Sequence, residues 1–405
     1  MTKETFMSAK EAAVMLEISL PTLYAYVSRG LIRSEAGTGK SRARRYARAD
    51  VEALLARKAL RQNPAQAAET ALHWGTPVLA SAVTLIEDGR FFYRGHEAIE
   101  LAQTAAFESV ASLLWRDQLD ASDLFPPEIP ESVAQRLVAL QPTLQSLPLF
   151  ERFQAALPLL AGYDLAAFDL AETAVSQTGA RLLHLLTWVA TGERPQVDLA
   201  TALQQAWAPS NPTLQTLINS ALVLCADHEL NVSAFAARVV ASAQASPYGV
   251  VQAGLAALQG ARHGGHTERV VNLLREAGSV AGVRPAVAAR LRRGENIPGF
   301  GHPLYPAGDP RGRLLLDLVV GVFGGGTAVS IIQELVQVMA EATGQLPTID
   351  LSLAALAVAA DFPRGAPLAL FALGRTAGWL GQAIEQYRED QLIRPRARYV
   401  GKRPE

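Results

Sequence analysis

Over most of its length this chain repeats apolar residues every three or four positions. Phe153-Leu157-Leu160 and Leu182-Leu186-Val189 are examples, and Leu351-Leu353-Leu356-Val358 forms a denser stripe. That spacing puts one apolar face on a helix. One early stretch differs: Leu79–Thr84 and Phe91–Tyr93 flank Asp88-Gly89, a turn pair that predicts a short hairpin. No short-period repeat and no alternating strand–helix series appears, so the body reads as mainly α. Upstream lies a smaller pattern. Ser8-Ala9-Lys10-Glu11 forms a capping box ahead of Ala12, Ala13, Met15 and Leu16. Pro21 suits the first turn of a second helix, which Leu23, Tyr26 and Val27 stripe and Gly30 ends. Leu31-Ile32 and the run Gly37 to Tyr46 read as two short strands around a basic tip, and Asp50 as the cap of a further helix through Leu55. Asn63-Pro64 and the small residues that follow carry no amphipathic stripe and read as a linker.

Charge divides the chain at the same place. Residues 1–62 hold twelve Lys and Arg against six Asp and Glu, a surplus of six; the remainder is in deficit by seven, which together give the net −1. Such asymmetry points to an anionic partner for the basic part. Helix, turn, helix, basic hairpin and helix resemble the winged helix-turn-helix of MerR- and excisionase-type proteins. In that motif the second helix enters the major groove and the hairpin meets phosphates. The resemblance makes Thr22 and Tyr24 candidates for base contact, and Lys40, Arg42, Arg44 and Arg45 candidates for phosphate contact.

The remaining composition describes an ordinary globular protein: 405 residues, nearly half of them apolar and 19% charged. That length accommodates two or three domains and a large core. The single cysteine, Cys225, lies in an apolar run and reads as a small buried side chain. No run of ~20 apolar residues is present and the first residues carry Lys and Glu, so a cytoplasmic location without membrane contact is expected.

Chemistry concentrates in two glycine-wrapped histidines and one aspartate. His263 stands in Gly260-Ala261-Arg262-His263-Gly264-Gly265-His266, His302 in Pro298-Gly299-Phe300-Gly301-His302-Pro303, and Asp350 follows. Glycine lets backbone and substrate approach an imidazole closely. Two imidazoles and a carboxylate suffice to remove a proton beside a carbonyl and to protonate an acceptor oxygen. Gly324-Gly325-Gly326-Thr327 is no phosphate loop, since no Gly-Lys-Ser/Thr follows, and reads as a helix-to-helix turn. His263 and His266 lack a third nearby ligand, so no metal is expected.

Around these residues the chain resembles the citrate synthase family, in ordered segments over about four fifths of its length. Tyr93-Arg94-Gly95, Phe107 to Trp115, Ala226-Asp227-His228-Glu229-Leu230-Asn231, the His263 loop, Gly299-Phe300-Gly301-His302, Asp309-Pro310-Arg311, Ile349-Asp350, Gly374-Arg375-Thr376 and Arg394-Pro395-Arg396 carry it. The resemblance implies a large helical domain, 76–262 with 361–405, and a small helical domain, 263–360. These follow a winged helix-turn-helix at 1–60 and a linker at 61–75. It also implies condensation of acetyl-CoA, a substrate rather than a cofactor, with oxaloacetate. Asp350 is then the base, His263 the donor to the thioester oxygen and His302 the acid on the oxaloacetate carbonyl. His228, Arg311, Arg375 and Arg394 hold oxaloacetate, with Arg394 lent by the second subunit of a homodimer.

Some positions depart from that pattern. Many relatives carry basic residues after the second histidine to meet coenzyme A phosphates, where Pro303 and Pro306 stand here. Gly264-Gly265-His266-Thr267 replaces the common Gly-Gly-Ala-Asn. Propionyl-CoA as substrate, giving 2-methylcitrate, is one alternative reading. A regulator that senses oxaloacetate or an acyl-CoA without turnover is another.

Overall fold

A computed structural model describes residues 6–16, 18–29, 31–36, 44–48, 50–51, 54 and 79–404. They divide into two compact units at Ala80 and Ser81. The linker at 61–75, Gly30, Lys40 and Arg42 lie outside the described residues.

In the first unit the capping box forms: Ser8 N–H donates to Glu11 Oε2 at 2.8 Å and Glu11 N–H to Ser8 Oγ at 3.3 Å. It opens helix α1 (Ala9–Leu16). Helix α2 (Leu20–Ser28) is capped by Ser19, whose Oγ accepts from Thr22 N, and has Pro21 in its first turn. The sheet has one strand more than the sequence pattern predicts. Phe6–Ser8 (β1) and Ser34–Ala36 (β2) flank Arg44–Ala47 (β3) on either side, all antiparallel, with Met7 opposite Tyr46 and Glu35 opposite Arg45. Leu31-Ile32 is a bend, not a strand; Ile32 is buried there beside Leu16, Leu23 and Tyr46. Asp50 spends its carboxylate on Arg33, accepting from its backbone N–H at 2.7 Å and its guanidinium at 3.0 and 3.1 Å.

The second unit begins with a hairpin, Thr84–Glu87 (β4) and Arg90–Tyr93 (β5), with His96–Glu97 (β6) alongside. Its first strand starts where the sequence reading ends it. Asp88 (φ 51°) and Gly89 (φ 76°) make a two-residue turn, and such a turn pairs the residues immediately beside it, Glu87 with Arg90. The regular elements after β6 are all helices. Helices α3 (Ala98–Thr104), α4 (Phe107–Arg116), α5 (Glu131–Gln145), α6 (Leu149–Ala161), α7 (Glu172–Thr191), α8 (Leu199–Trp207), α9 (Leu214–Cys225), α10 (Val232–Ser242) and α11 (Pro247–Leu258) come first. Then follow α12 (His266–Ala277), α13 (Val280–Arg292), α14 (Pro310–Phe323), α15 (Thr327–Thr343), α16 (Ile349–Ala359) and α17 (Ala366–Glu389).

Helix α17 is the axis of the core, buried on all sides from Ala366 to Ile384, and α4, α7, α9, α10 and α11 pack against it. Glycine permits two of these approaches. A Cβ on Gly254 of α11 would stand 2.3 Å from the Trp379 ring, and one on Gly378 would stand 2.2 Å from the Ala226 carbonyl oxygen. The helices α12 to α16 pack mainly on one another, with α16 between α12 and α14. The glycines at 324–326 join α14 to α15, as the sequence reading has it. Cys225 is fully buried and its thiol is pushed up to about 12, so it is no nucleophile.

Candidate active site

His228 lies in the turn between α9 and α10, and the turn is built from the inside. Asp227 Oδ2 accepts from Thr84 Oγ1 at 2.6 Å and from Gln382 Nε2 at 3.3 Å, while the Tyr93 hydroxyl lies 3.0 Å from the Val223 carbonyl oxygen. The β4–β5 hairpin thus fixes the residue next to His228. On α17, Arg375 is 1% exposed, and its Nε donates to the Cys225 carbonyl at 2.7 Å. Among the described residues the two terminal nitrogens make no hydrogen bond, which leaves them for an anion.

His263 sits in the turn that enters α12. A Cβ on Gly264 would meet Leu258 at 2.7 Å and one on Gly265 the Gln259 carbonyl oxygen at 2.7 Å, so the turn closes only with glycine at both places. His263 Nε2 lies 2.8 Å from Ser233 Oγ. Ser233 Oγ also accepts from Trp379 Nε1 at 3.1 Å and lies 2.7 Å from Asn231 Oδ1, whose oxygen caps α10. The ring stands edge-on to Phe371, centroids 5.9 Å apart.

The His302 loop is zipped to the chain just ahead of Asp350. Gly301 N–H donates to the Leu346 carbonyl and Thr348 N–H to that of Gly299, each at 2.9 Å, and both glycines have positive φ (75° for Gly301, 88° for Gly299). Leu304 N–H donates to His302 Nδ1 at 3.2 Å. A backbone N–H can only donate, so neutral His302 carries its proton on Nε2. Its ring lies 5.4 Å from that of His228, nearly perpendicular to it.

Asp350 is the second residue of α16. Thr348 Oγ1 reaches its Oδ2 at 3.4 Å, while Oδ1 is sealed from solvent with no hydrogen-bond partner among the described residues. Burial, with Asp309 nearby, pushes the carboxyl up to about 6 against the pull of Arg311. Arg311 itself is gripped by Asp309 through Nε at 3.0 Å and Nη2 at 2.9 Å, which holds the guanidinium firmly charged. Among the described residues its Nη1 makes no hydrogen bond, which leaves that edge open to an anion. Asp309 Oδ2 also accepts from Ile349 N–H at 3.1 Å, tying Arg311 to the first turn of α16.

The site's histidines are all neutral near pH 7. Burial comes first and the arginines second: His263 falls to about 3 and His302 to about 4, with Arg311 adding to both and Arg375 to the former, while His228 falls well below its ordinary value. A carboxylate poised near neutrality, neutral imidazoles able to donate, and two buried guanidiniums form a set able to hold an anion and to move a carbon-bound proton beside it.

One sequence-predicted residue stands apart. Arg394 is exposed on the irregular segment after α17. In the first unit Tyr24 is half exposed on α2, Thr22 bonds the cap residue Ser19, and Arg44 and Arg45 are exposed on β3. Sequence reasoning missed Ser233, Trp379, Tyr305 and Asp309 as parts of the site. Asp309, a cap residue before Pro310-Arg311, carried the clearest signal. Among the described residues no group of acidic, histidine and cysteine side chains is arranged to hold a metal ion, and no helix is long and apolar enough to cross a membrane.

Residues 71–396 match the family described as citrate synthase, C-terminal domain, and residues 6–59 match a helix-turn-helix domain. The chain is 30% identical over 351 residues to the citrate synthase of Mycolicibacterium smegmatis, covering 81% of this chain and 94% of that protein. It is 29% identical over 345 residues to the 2-methylcitrate synthase of Mycobacterium tuberculosis, covering 76% and 84%. The crystal structure of citrate synthase from Thermotoga maritima aligns with a TM-score of 0.69 at 27% identity, covering 81% and 94%.

Proposed function

The chain belongs to the citrate synthase family, and on that premise we propose that this citrate synthase-type enzyme condenses acetyl-CoA with oxaloacetate and hydrolyses the product to citrate and free coenzyme A. The observation that supports the reading most is Asp350, a buried carboxylate with a sealed, unpartnered oxygen and an affinity for protons raised to about 6. A pure sensor of metabolites needs no such base. Asp350 takes a proton from the acetyl methyl group. His263 donates to the thioester oxygen as the enol forms. The enol carbon attacks the oxaloacetate carbonyl, whose oxygen takes a proton from His302 Nε2. Water then cleaves the thioester: its OH makes the new carboxyl group, its other proton returns to His302, and the proton held by Asp350 leaves with the coenzyme A thiol.

Oxaloacetate is held by Arg311, Arg375 and His228, and by Arg394 of a second subunit in a homodimer. Acyl-CoA is a substrate here, and no step needs a cofactor or a metal. Donation from His263 sets a condition on Ser233. Its one proton has two acceptors within reach, His263 Nε2 and an Asn231 oxygen that already takes two backbone N–H groups. Given to His263 Nε2, it leaves the imidazole proton on Nδ1. The small domain, 263–360, closes on the large one and excludes water.

Release of free thiol from acetyl-CoA tests this reading: it is expected only with oxaloacetate present. Propionyl-CoA is the second substrate to offer, because one methylene changes binding by only ~1–3 kcal/mol. Faster release from it would make the product 2-methylcitrate, and release from neither, with oxaloacetate still bound, leaves a sensor. The pH profile follows from Asp350. Its ionised form is lost below about 6, so kcat/KM is expected to fall about tenfold per pH unit there. His263 and His302, at about 3 and about 4, add no limb between neutrality and that point.

A second activity is supported by the first unit, whose sequence matches a helix-turn-helix domain and whose β3 exposes Arg44 and Arg45. The full chain binds duplex DNA, with Thr22 and Tyr24 at base edges and Lys40, Arg42, Arg44 and Arg45 at phosphates. Duplex affinity is expected to fall with salt, and Arg44→Ala with Arg45→Ala to flatten the log–log slope by about 2. Absence of binding at low salt would sink this role.

A further inference from the structure

We propose that Tyr305 is a positioning residue that sets the tautomer of His228, so that the imidazole offers an N–H from Nδ1 to an anionic substrate. The identity of that substrate as oxaloacetate rests on the citrate synthase-type reading. Tyr305 is 3% exposed, in the turn three residues after His302. Its ring centroid lies 5.1 Å from that of His302 and 5.6 Å from that of His228, and the Arg311 guanidinium stands 5.7 Å over its face. The hydroxyl meets His228 Nε2 at 2.8 Å.

The direction of that bond follows from counting protons. Burial holds the phenol well above the ordinary tyrosine range, so it keeps its proton. Among the described residues His228 Nε2 is the hydroxyl's one partner. Were the imidazole to donate instead, the phenol proton would need an acceptor that no described residue supplies, whereas a hydroxyl that donates to Nε2 is satisfied by the bond already present. Nε2 therefore accepts. His228 is neutral, and a neutral imidazole that accepts at Nε2 carries its proton on Nδ1. Nδ1 has no hydrogen-bond partner among the described residues, which leaves it for a ligand. The opposite tautomer would turn a lone pair toward a carboxylate and repel it. His302 obeys the mirror rule, since the Leu304 N–H fills Nδ1 and leaves the proton on Nε2. Two facing histidines thus carry opposite tautomers, each imposed by a donor on the same short turn.

Histidine-selective ¹⁵N labelling of the full chain, read by long-range nitrogen–proton correlation, shows the tautomer directly, with His228 assigned through His228→Gln. The expected wild-type spectrum has Nδ1 protonated and Nε2 bare. In Tyr305→Phe the two nitrogens should move toward a tautomer mixture. The calorimetric Kd for oxaloacetate, without acyl-CoA, should rise about tenfold, while the KM for acyl-CoA stays within about twofold. A proton on Nε2 in the wild-type spectrum overturns the proposal, and that measurement needs no variant to fold. Unchanged oxaloacetate binding in a folded Tyr305→Phe protein overturns it too. Wild-type protein that binds no oxaloacetate overturns the substrate reading instead, and the spectrum then decides the tautomer by itself.

Discussion

Asp350→Asn is expected to lower oxaloacetate-dependent thiol release by roughly 10²- to 10⁴-fold, the usual contribution of a positioned base, while leaving oxaloacetate bound and the fold no weaker. Asparagine keeps the shape and cannot take a proton. The groups assigned to oxaloacetate are Arg311, Arg375 and His228, and the hydrogen bonds that position them run to Asp309, Cys225 and Tyr305, not to Asp350. Stability should move the other way from activity. The carboxyl's folded pKa of about 6 exceeds its ordinary 3.8, so native protein binds more protons than unfolded chain between these values. Stability therefore falls as pH rises through that window, by ~3 kcal/mol at most for this group, and stays lower above it. At pH 7.5 the asparagine variant should melt at or above the wild-type temperature. A variant that loses oxaloacetate binding and melting temperature together with turnover would make Asp350 a structural residue.

The helical body was legible because its apolar spacing is set by burial against one axis, and α17 is buried along nearly its whole length. The His263, His302 and Asp350 segments were legible because each needs glycine or a helix start at a fixed place. The strands were read less well. Leu31-Ile32 has the composition of a strand, yet Ile32 is wanted in the small core and the chain bends there to deliver it. Phe6–Ser8 is a strand only because Arg44–Ala47 pairs with it across nearly forty residues, and no local pattern announces such a partner. The supporting groups were hidden for a related reason. Ser233 and Trp379 are 146 residues apart, and only the packing of α10 on α17 brings them to one imidazole. Tyr305 was visible as a residue beside His302, but its bond to His228 spans 77 positions.

Arg394 offers the sharpest test of how a complete site is assembled. It is exposed on its own chain, beyond α17, and in the proposed homodimer it serves the partner's oxaloacetate. Arg394→Ala alone should reduce kcat/KM by roughly 10²- to 10³-fold, the scale of losing a charged partner to a substrate carboxylate. Asp350→Asn alone should be nearly inactive as well. Mixing the two variants after subunit exchange should restore activity. In a hybrid dimer one site has lost both groups. The other joins a native Asp350 from one chain to a native Arg394 from its partner. Random pairing makes about half the dimers hybrid, each with one intact site, so recovery should approach about a quarter of wild type. Were Arg394 to act within its own chain, each site of the hybrid would lack one group and mixing would recover nothing. Activity above the sum of the separate variants therefore places the arginine in the neighbouring subunit's site, and makes the dimer a requirement of the chemistry.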